Sequence, residues 1–199
     1  MKKKKTANQN LTQKQGQALV ALARHAILER VKRSNLLDEA INKTLQDKRL
    51  NEKRGTFVTL NKEGELRGCI GTLTATETIT DGVKRNALNA ALHDQRFPPV
   101  SADEIDGLHI EISVLTEPAP LEYSDGMDLI SKLRPGVDGV IIRQGAARAT
   151  FLPQVWDQLP APEDFLTQLC LKAGLAGETW QNTKIEVLIY QVQYFEEKK

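Results

Sequence analysis

The chain has 199 residues, of which 40% are hydrophobic and 27% are charged, a balance typical of one globular domain or of two small packed lobes. Lys and Arg number 27, Asp and Glu number 26, and aromatic residues make up 5%, which argues against a nucleic-acid-binding surface. Two cysteines without a Cys-x-x-Cys pair, no signal-peptide pattern and no apolar run of ~20 residues predict a cytoplasmic protein with reduced thiols and no membrane span.

The first predicted elements are a polar tail and two helices. The basic run Lys2–Lys5 opens a polar stretch, and we predict that residues 1–10 are disordered. From Thr12, apolar residues recur at helical spacing as far as Ser34-Asn35. A second, shorter helix is predicted over residues 38–49, which keep apolar side chains on one face.

A β-hairpin is predicted next, because the pattern changes to β-rich residues on both sides of a turn. Residues 56–60 and 65–73 form its two strands, and the sequence Asn61-Lys62-Glu63-Gly64 supplies the turn. A helix then follows, capped by Thr76 or Thr78 and ending near Asp94.

The second half of the chain continues the alternation of strands and helices. Its predicted elements are a strand over 108–116, a helix from Ser124 or Asp125 to 133, a hairpin over 137–152, a helix from Pro162 to Gly174 or Gly177, and a last strand over 184–195.

Two stretches of the sequence share one plan of hairpin, helix and long strand. They cover residues 55–116 and 138–195, with little identity between them. We therefore predict an α+β fold in which two related hairpin-helix-strand units form one curved, barrel-like sheet with helices packed outside. The domain is expected to span residues 11–197, with sub-lobes of about 11–120 and 121–197.

The segment Leu66-Arg67-Gly68-Cys69-Ile70-Gly71 is the main candidate for chemistry. Strand alternation places the guanidinium of Arg67 and the thiol of Cys69 on one face, where a cation stabilises a thiolate. Gly68 and Gly71 remove side chains beside Cys69, which is typical of close approach by a ligand or another backbone. The alternative is a buried structural cysteine between glycines that mark a bulge or bend.

Two polar residues elsewhere are candidate ligand contacts. Arg96 follows a predicted helix in the segment Asp94 to Pro99, where it could bind an anion or satisfy the last helix carbonyls. Gln154 lies near the start of a helix after the second hairpin, where it could donate to a ligand, cap the helix or face solvent.

The remaining candidates are weaker. His25 and His93 lie on helices without a partner at metal-ligand spacing, and Cys170 lies on an apolar helix face typical of a core residue. His109 and Glu111 share a strand face, but no third ligand is evident in the sequence, so a solvated or hydrogen-bonded face is favoured. The sequence predicts neither a metal site nor a cofactor.

Several motifs resemble one known family. The strand Gly55–Leu60 followed by Leu66–Gly71 is similar to the signature of the AMMECR domain, whose prokaryotic members are called AmmeMemoRadiSam system protein A. The resemblance extends over about residues 14–195 in consistent order. Further matching segments are Asp94–Pro99, Ile112–Leu115, Gly136–Gly139, Phe151–Val155 and Leu169–Leu175.

The resemblance carries expectations about fold and partners. It implies an α+β fold with two related units forming one barrel-like sheet. It also implies association, physical or genetic, with a Memo-like protein, related to metal-dependent dioxygenases, and with a radical S-adenosylmethionine enzyme. It implies no particular reaction.

Two functional hypotheses follow from these observations. The first is an enzyme or enzyme-system subunit that uses Cys69 and Arg67 as catalytic residues on a small anionic molecule. The second is a non-catalytic adaptor that binds a protein or ligand through the Leu66–Gly71 surface. The predicted ligand-binding residues are Gly68, Gly71, Arg96 and Gln154.

Overall fold

The chain divides into two units, which we describe separately. In the computed structural model, residues 10–32 and 38–198 are described. The first unit comprises Met1–Thr116 with Gln193–Lys199, and the second comprises Glu117–Val192. Residues 1–9 of the predicted tail, and the predicted helix end at Ser34-Asn35, lie outside the described residues. Across residues 10–32 and 38–198, no helix is long and apolar enough to cross a bilayer.

Six α-helices and eight strands are present in the described residues. In chain order they are α1 (Gln13–Lys32), α2 (Glu39–Leu45), β1 (Thr56–Lys62), β2 (Glu65–Thr72), α3 (Ile79–Leu92), β3 (Leu108–Leu115), β4 (Ala119–Pro120), α4 (Gly126–Lys132), β5 (Gly139–Gln144), β6 (Ala147–Phe151), α5 (Pro162–Lys172), α6 (Thr179–Asn182), β7 (Glu186–Tyr190) and β8 (Val192–Glu196). Three short 3-10 helices cover Lys48–Asn51, Ile105–Gly107 and Pro153–Asp157.

The first unit is an antiparallel sheet with helices on one face. Its strand order is β2-β1-β3-β8. Inward residues of β1 and β3, such as Val58 and Ile112, are fully buried and share a hydrophobic core with residues of α1 and α3. The residues that alternate with them are only half-buried. This face carries the polar side chains of the candidate site, because strand residues point alternately to the two faces.

The cap of α3 fixes where this helix begins beneath the sheet. Thr78 accepts a hydrogen bond from the backbone N–H of Asp81 and acts as the N-cap, as one of the two predicted capping residues. The helix ends at Leu92, so that residues 94–97 emerge beside β2.

The second unit has its own sheet and its own core. Its strand order is β4-β7-β5-β6. The core centres on Phe165 of α5, whose ring stacks on Trp156 at a centroid distance of 3.7 Å and meets the ring of Phe151 edge-on. Gly174 takes a positive φ of 78° just after α5, which is a conformation that glycine adopts without strain.

The mixed α and β architecture is as predicted. The strands do not form the single barrel-like sheet that was expected. They form two four-stranded antiparallel sheets, and each has a separate hydrophobic core. The predicted last strand over 184–195 is divided at Gln191, so that β7 joins one sheet and β8 joins the other. The shared plan is still visible, because the order β2-β1-β3 in one sheet matches β6-β5-β7 in the other.

Candidate functional site

Cys69 lies on the half-buried face of the first sheet, opposite Thr59 of β1. The backbone N–H and carbonyl of Cys69 bond to residues outside the hairpin, so this is a non-hydrogen-bonded pair, in which cross-strand side chains are closest. Accordingly, the hydroxyl of Thr59 donates a hydrogen bond to the Cys69 sulfur at 3.2 Å. The thiol is thus held by its cross-strand neighbour.

Asp94 and Arg96 bind the backbone of Cys69 at the edge of the sheet. β2 is an edge strand, and such strands leave backbone groups without a ladder partner. Here the N–H of Cys69 donates to Asp94 Oδ2 at 2.9 Å, and Arg96 Nη2 donates to the Cys69 carbonyl at 3.2 Å. These two side chains therefore take the place that another strand would occupy at this residue.

In the Asp94–Arg96 ion pair, the carboxylate is buried and the guanidinium is exposed. Arg96 Nε and Nη2 donate to the two carboxylate oxygens of Asp94 at 2.9 and 2.7 Å. The Asp94 side chain is 4% exposed, whereas that of Arg96 is 55% exposed. The hydrogen bonds from Arg96, with that from Cys69, hold the pKa of Asp94 well below its usual range. The pair with Asp94 raises the pKa of Arg96, and the nearby Cys69 contributes in the same direction.

Arg67 pairs with Glu104 rather than with the thiol. The β1–β2 register shifts between Leu60 and Asn61, where Leu60 pairs with Gly68 and Asn61 with Leu66. Arg67 is therefore the extra residue of a β-bulge, which redirects its side chain and breaks the simple alternation expected from the sequence. Its Nε and Nη2 each donate to a Glu104 oxygen at 3.1 Å. The expected same-face pair of Arg67 and Cys69 is corrected accordingly.

The surroundings of Arg67 are polar and aromatic. Its Nη2 also donates to the carbonyl of Pro98 at 2.9 Å, and its Nη1 is buried without a hydrogen-bond partner among the described residues. Hydrogen bonds from Arg67 lower the pKa of Glu104 to about 2, with a further contribution from the N–H of Ser101. The guanidinium carbons of Arg67 and Arg96 lie 5.9 and 5.4 Å from the ring centroid of Phe97.

At the two glycines near Cys69, neighbouring atoms of the protein fill the space that a side chain would take. A Cβ at Gly68 would lie 2.3 Å from the carbonyl oxygen of Ala90 in α3, because the helix passes close to β2 there. A Cβ at Gly71 would lie 2.2 Å from the ring of Phe57, its cross-strand partner. At Gly68 the close neighbour is another backbone, which is one of the two predicted alternatives, and a role of Gly68 and Gly71 in binding a ligand stays a prediction.

Two of the remaining predicted residues, Gln154 and Cys170, belong to the second unit. Gln154 is exposed in the 3-10 helix Pro153–Asp157 of the second unit, and its role in binding a ligand stays a prediction. Cys170 is fully buried in the core of the second unit, as expected, and burial raises the pKa of its thiol. His93 is the exposed residue that follows α3.

Sequence reasoning missed three residues of the site, namely Thr59, Asp94 and Glu104. A regular hairpin register would pair Thr59 with Gly68, and only the one-residue bulge at Arg67 places Thr59 opposite Cys69. Asp94 lay within a quoted segment, but only the tertiary approach of α3 to β2 gives it a role. Nothing in the local sequence pairs Glu104 with a residue 37 positions earlier.

The comparisons with known proteins agree over nearly the whole chain. The AMMECR1 family model matches residues 20–195. A protein of Methanothermobacter thermautotrophicus is 41% identical over 192 residues, covering 94% of this chain and 96% of its own. Protein MK0488 of Methanopyrus kandleri is 37% identical, with coverage of 96% and 92%. The crystal structure of uncharacterized protein PH0010 from Pyrococcus horikoshii is similar with a TM-score of 0.77, 34% identity and 94% coverage of each chain.

Proposed function

Because the chain belongs to the AMMECR1 family, we propose that its first unit binds a small anionic molecule beside Cys69 and uses the thiol as a nucleophile. In this proposal Arg96 holds the anion and Thr59 orients the sulfur. Arg67 acts through the ion pair with Glu104, which positions β2, rather than by contact with the thiol. The observation that carries the proposal is the exposed guanidinium of Arg96, bonded to the backbone of the candidate nucleophile.

The hydrogen bond from Thr59 supports the nucleophile. The Thr59 hydroxyl donates to the sulfur at 3.2 Å, which fixes the position of the Cys69 side chain on the strand. Cys69 is half-buried, so part of its surface is accessible.

The fixed position of Arg96 supports the anion site. Two hydrogen bonds to Asp94 and one to the Cys69 carbonyl restrain this side chain, so less conformational entropy is lost when it binds a ligand. A guanidinium presents planar donors that match carboxylate and phosphate oxygens.

The experiment compares an anionic and a neutral alkylating reagent at Cys69. Iodoacetate and iodoacetamide are reacted with the folded, full-length protein, and modification of each cysteine is followed by mass spectrometry. We expect Cys69 to react and Cys170 to be protected. In Arg96→Gln, the ratio of the iodoacetate to the iodoacetamide rate at Cys69 should fall about two- to fivefold, the size expected for one exposed charge. A change in the exposure of the thiol would affect both reagents and would cancel in the ratio.

Arg85→Gln is the matched control. Arg85 is also about half exposed, at 50%, and also pairs with a carboxylate, that of Glu77. Its replacement should leave the ratio at Cys69 unchanged. The proposal fails if Cys69 is unreactive in the folded protein, or if both arginine variants shift the ratio equally.

A second candidate function is a binding module, for which we propose the same edge strand as the docking surface. Leu66 is a large apolar side chain that is 42% exposed in β2, and edge strands with exposed apolar residues are common protein-binding sites. The family resemblance supports a Memo-like protein and a radical S-adenosylmethionine protein as partners. Cys69→Ser should then retain binding to a co-expressed partner, and Leu66→Ser should reduce it. Loss of binding in Cys69→Ser with an intact fold would contradict the adaptor.

A further inference from the structure

A second cluster of chemically capable side chains lies on the same face of the first sheet. His109 and Glu111 point outward from β3, and Glu196 points outward from the adjacent strand β8. One ligand atom from each residue lies within 4.8 Å of the others. His109 Nε2 and Glu196 Oε2 are 3.2 Å apart. We propose that these three residues bind a divalent transition-metal ion.

The spacing of the three ligand atoms suits a metal ion. In a tetrahedral zinc site with bonds of about 2.0–2.2 Å, ligand atoms lie roughly 3.3 Å apart. The His109–Glu196 distance already has this value, and the Glu111 ligand atom lies within 4.8 Å of both others. Three protein ligands leave at least one coordination position for water or another molecule, which is the arrangement of an open metal site.

A neighbouring amide holds one of the three ligands in place. Asn61 of β1 donates to Glu111 Oε1 at 2.8 Å, which orients the second oxygen of this carboxylate. Metal-binding carboxylates are commonly held by such outer hydrogen bonds. Asn61 pairs with His109 across the two strands, so the site is built on three adjacent strands of one sheet.

The chemistry of the ligands favours one class of ion. Imidazole binds zinc, iron and similar metals, whereas magnesium and calcium prefer sites made of oxygen ligands alone. One neutral imidazole and two carboxylates carry a charge of −2, which a divalent ion neutralises. The nearby carboxylate of Glu197 is occupied by Arg24 and by the N–H of Ile110, so it does not compete for the ion.

The sequence could not supply the third ligand. His109 and Glu111 stand two residues apart, but Glu196 follows His109 by 87 positions. Only the pairing of β3 with β8 brings the three together. The site stands independently of whether the Cys69 thiol reacts.

The test measures the binding of Zn²⁺ and Co²⁺ to the tag-free, full-length protein by equilibrium dialysis and calorimetry. The parent protein for this test carries Cys69→Ser, which removes a competing soft ligand, and all further variants are made in this parent. We expect one ion per chain. His109→Ala and Glu196→Gln should each weaken binding tenfold or more, and the positioning variant Asn61→Ala should weaken it about 10- to 100-fold. His93→Ala, which removes another exposed histidine of the same unit, should bind as the parent does.

Thermal unfolding in a chelator separates loss of the site from loss of the fold. Each variant should unfold within a few degrees of the parent when no metal is bound. Zn²⁺ should raise the unfolding temperature of the parent and of His93→Ala but not that of His109→Ala. The proposal is overturned if no ion binds at 1 mM, or if a bound ion is insensitive to both His109→Ala and Glu196→Gln. In either case His109 and Glu196 form only a surface hydrogen bond.

Discussion

The close approach of α3 to β2 makes Gly68→Ala a sharp test of the packing around Cys69. The added Cβ would lie 2.3 Å from the carbonyl oxygen of Ala90 and 3.1 Å from its carbonyl carbon. Real contacts of this kind are rarely closer than about 3 Å, and both partners are backbone atoms. The helix cannot yield without losing core contacts of Ala87 and Ala90, and β2 is held by the bond from Cys69 to Asp94.

The expected cost follows from this overlap. Overpacking in a close-packed interior costs about 1–3 kcal/mol, and we expect the upper part of this range because no flexible side chain can move aside. For a chain of this size, each kcal/mol lowers the unfolding temperature by about 2–4 °C, so Gly68→Ala should unfold roughly 4–12 °C below the wild type. Urea titration followed by circular dichroism gives the free energy of unfolding directly.

Gly107→Ala is the matched control for this substitution. A Cβ at Gly107 meets no heavy atom within 4 Å, so the alanine should be neutral or stabilising by up to about 1 kcal/mol. If the free energy of unfolding of Gly68→Ala is within about 0.5 kcal/mol of the wild-type value, the helix and the strand do not approach each other as closely as described. The glycine would then be free to admit a ligand, which is the other alternative that the sequence left open.

Two further predictions concern the same strand. Because hydrogen bonds from Arg96 and Cys69 lower the pKa of Asp94, its stabilising effect is complete above the unfolded value of about 4 and is lost as the pH falls toward the folded value. Asp94→Asn should therefore be less stable than the wild type by about 1.5–3 kcal/mol at pH 7. Urea titrations should show that this difference in unfolding free energy narrows between pH 5 and pH 3. A difference that stays constant over this range would contradict the ion-pair explanation. Gly71→Ala should destabilise the protein, because the added Cβ meets the ring of Phe57 and the carbonyl of Thr56. In the Gly71→Ala background, Phe57→Ala should lower the free energy of unfolding by less than it does in the wild type. Strict additivity of the two changes would refute the contact.

Local patterns predicted the elements well because their signals are local. The turn residues 61–64 mark the first hairpin, and Thr78 caps α3 as expected. The predicted strand over 108–116 corresponds to β3, in which buried and half-buried residues alternate as far as Val114. These features depend on periods of two or 3.6 residues and on capping groups within one turn, which a sequence displays directly.

Features that depend on distant pairing were not predictable in this way. A bulge of one residue redirects Arg67, and the sequence Leu66–Gly71 contains no sign of which residue is skipped. The division of the last predicted strand at Gln191 sends β7 and β8 to different sheets, although the apolar pattern runs across both. The partners Asp94, Glu104 and Glu196 are set by tertiary packing over long sequence separations.

The route of the chain through β8 has a consequence for the order in which the protein folds. β8 completes the sheet of the first unit beside β3, so the second unit is an insertion between two neighbouring strands. Closing a flexible insertion of roughly 75 residues costs about 4 kcal/mol plus a constant in chain entropy.

Folding of the insertion removes most of this cost in advance. Its two ends are joined by the pairing of Ala119 with Ile189 in β4 and β7, so that the flanking strands emerge close together once the second unit has formed. We therefore expect the second unit to fold before β8 docks. During synthesis, the edge of β3 would stay unpaired until β8 has emerged from the ribosome, and an unpaired strand edge is prone to aggregation.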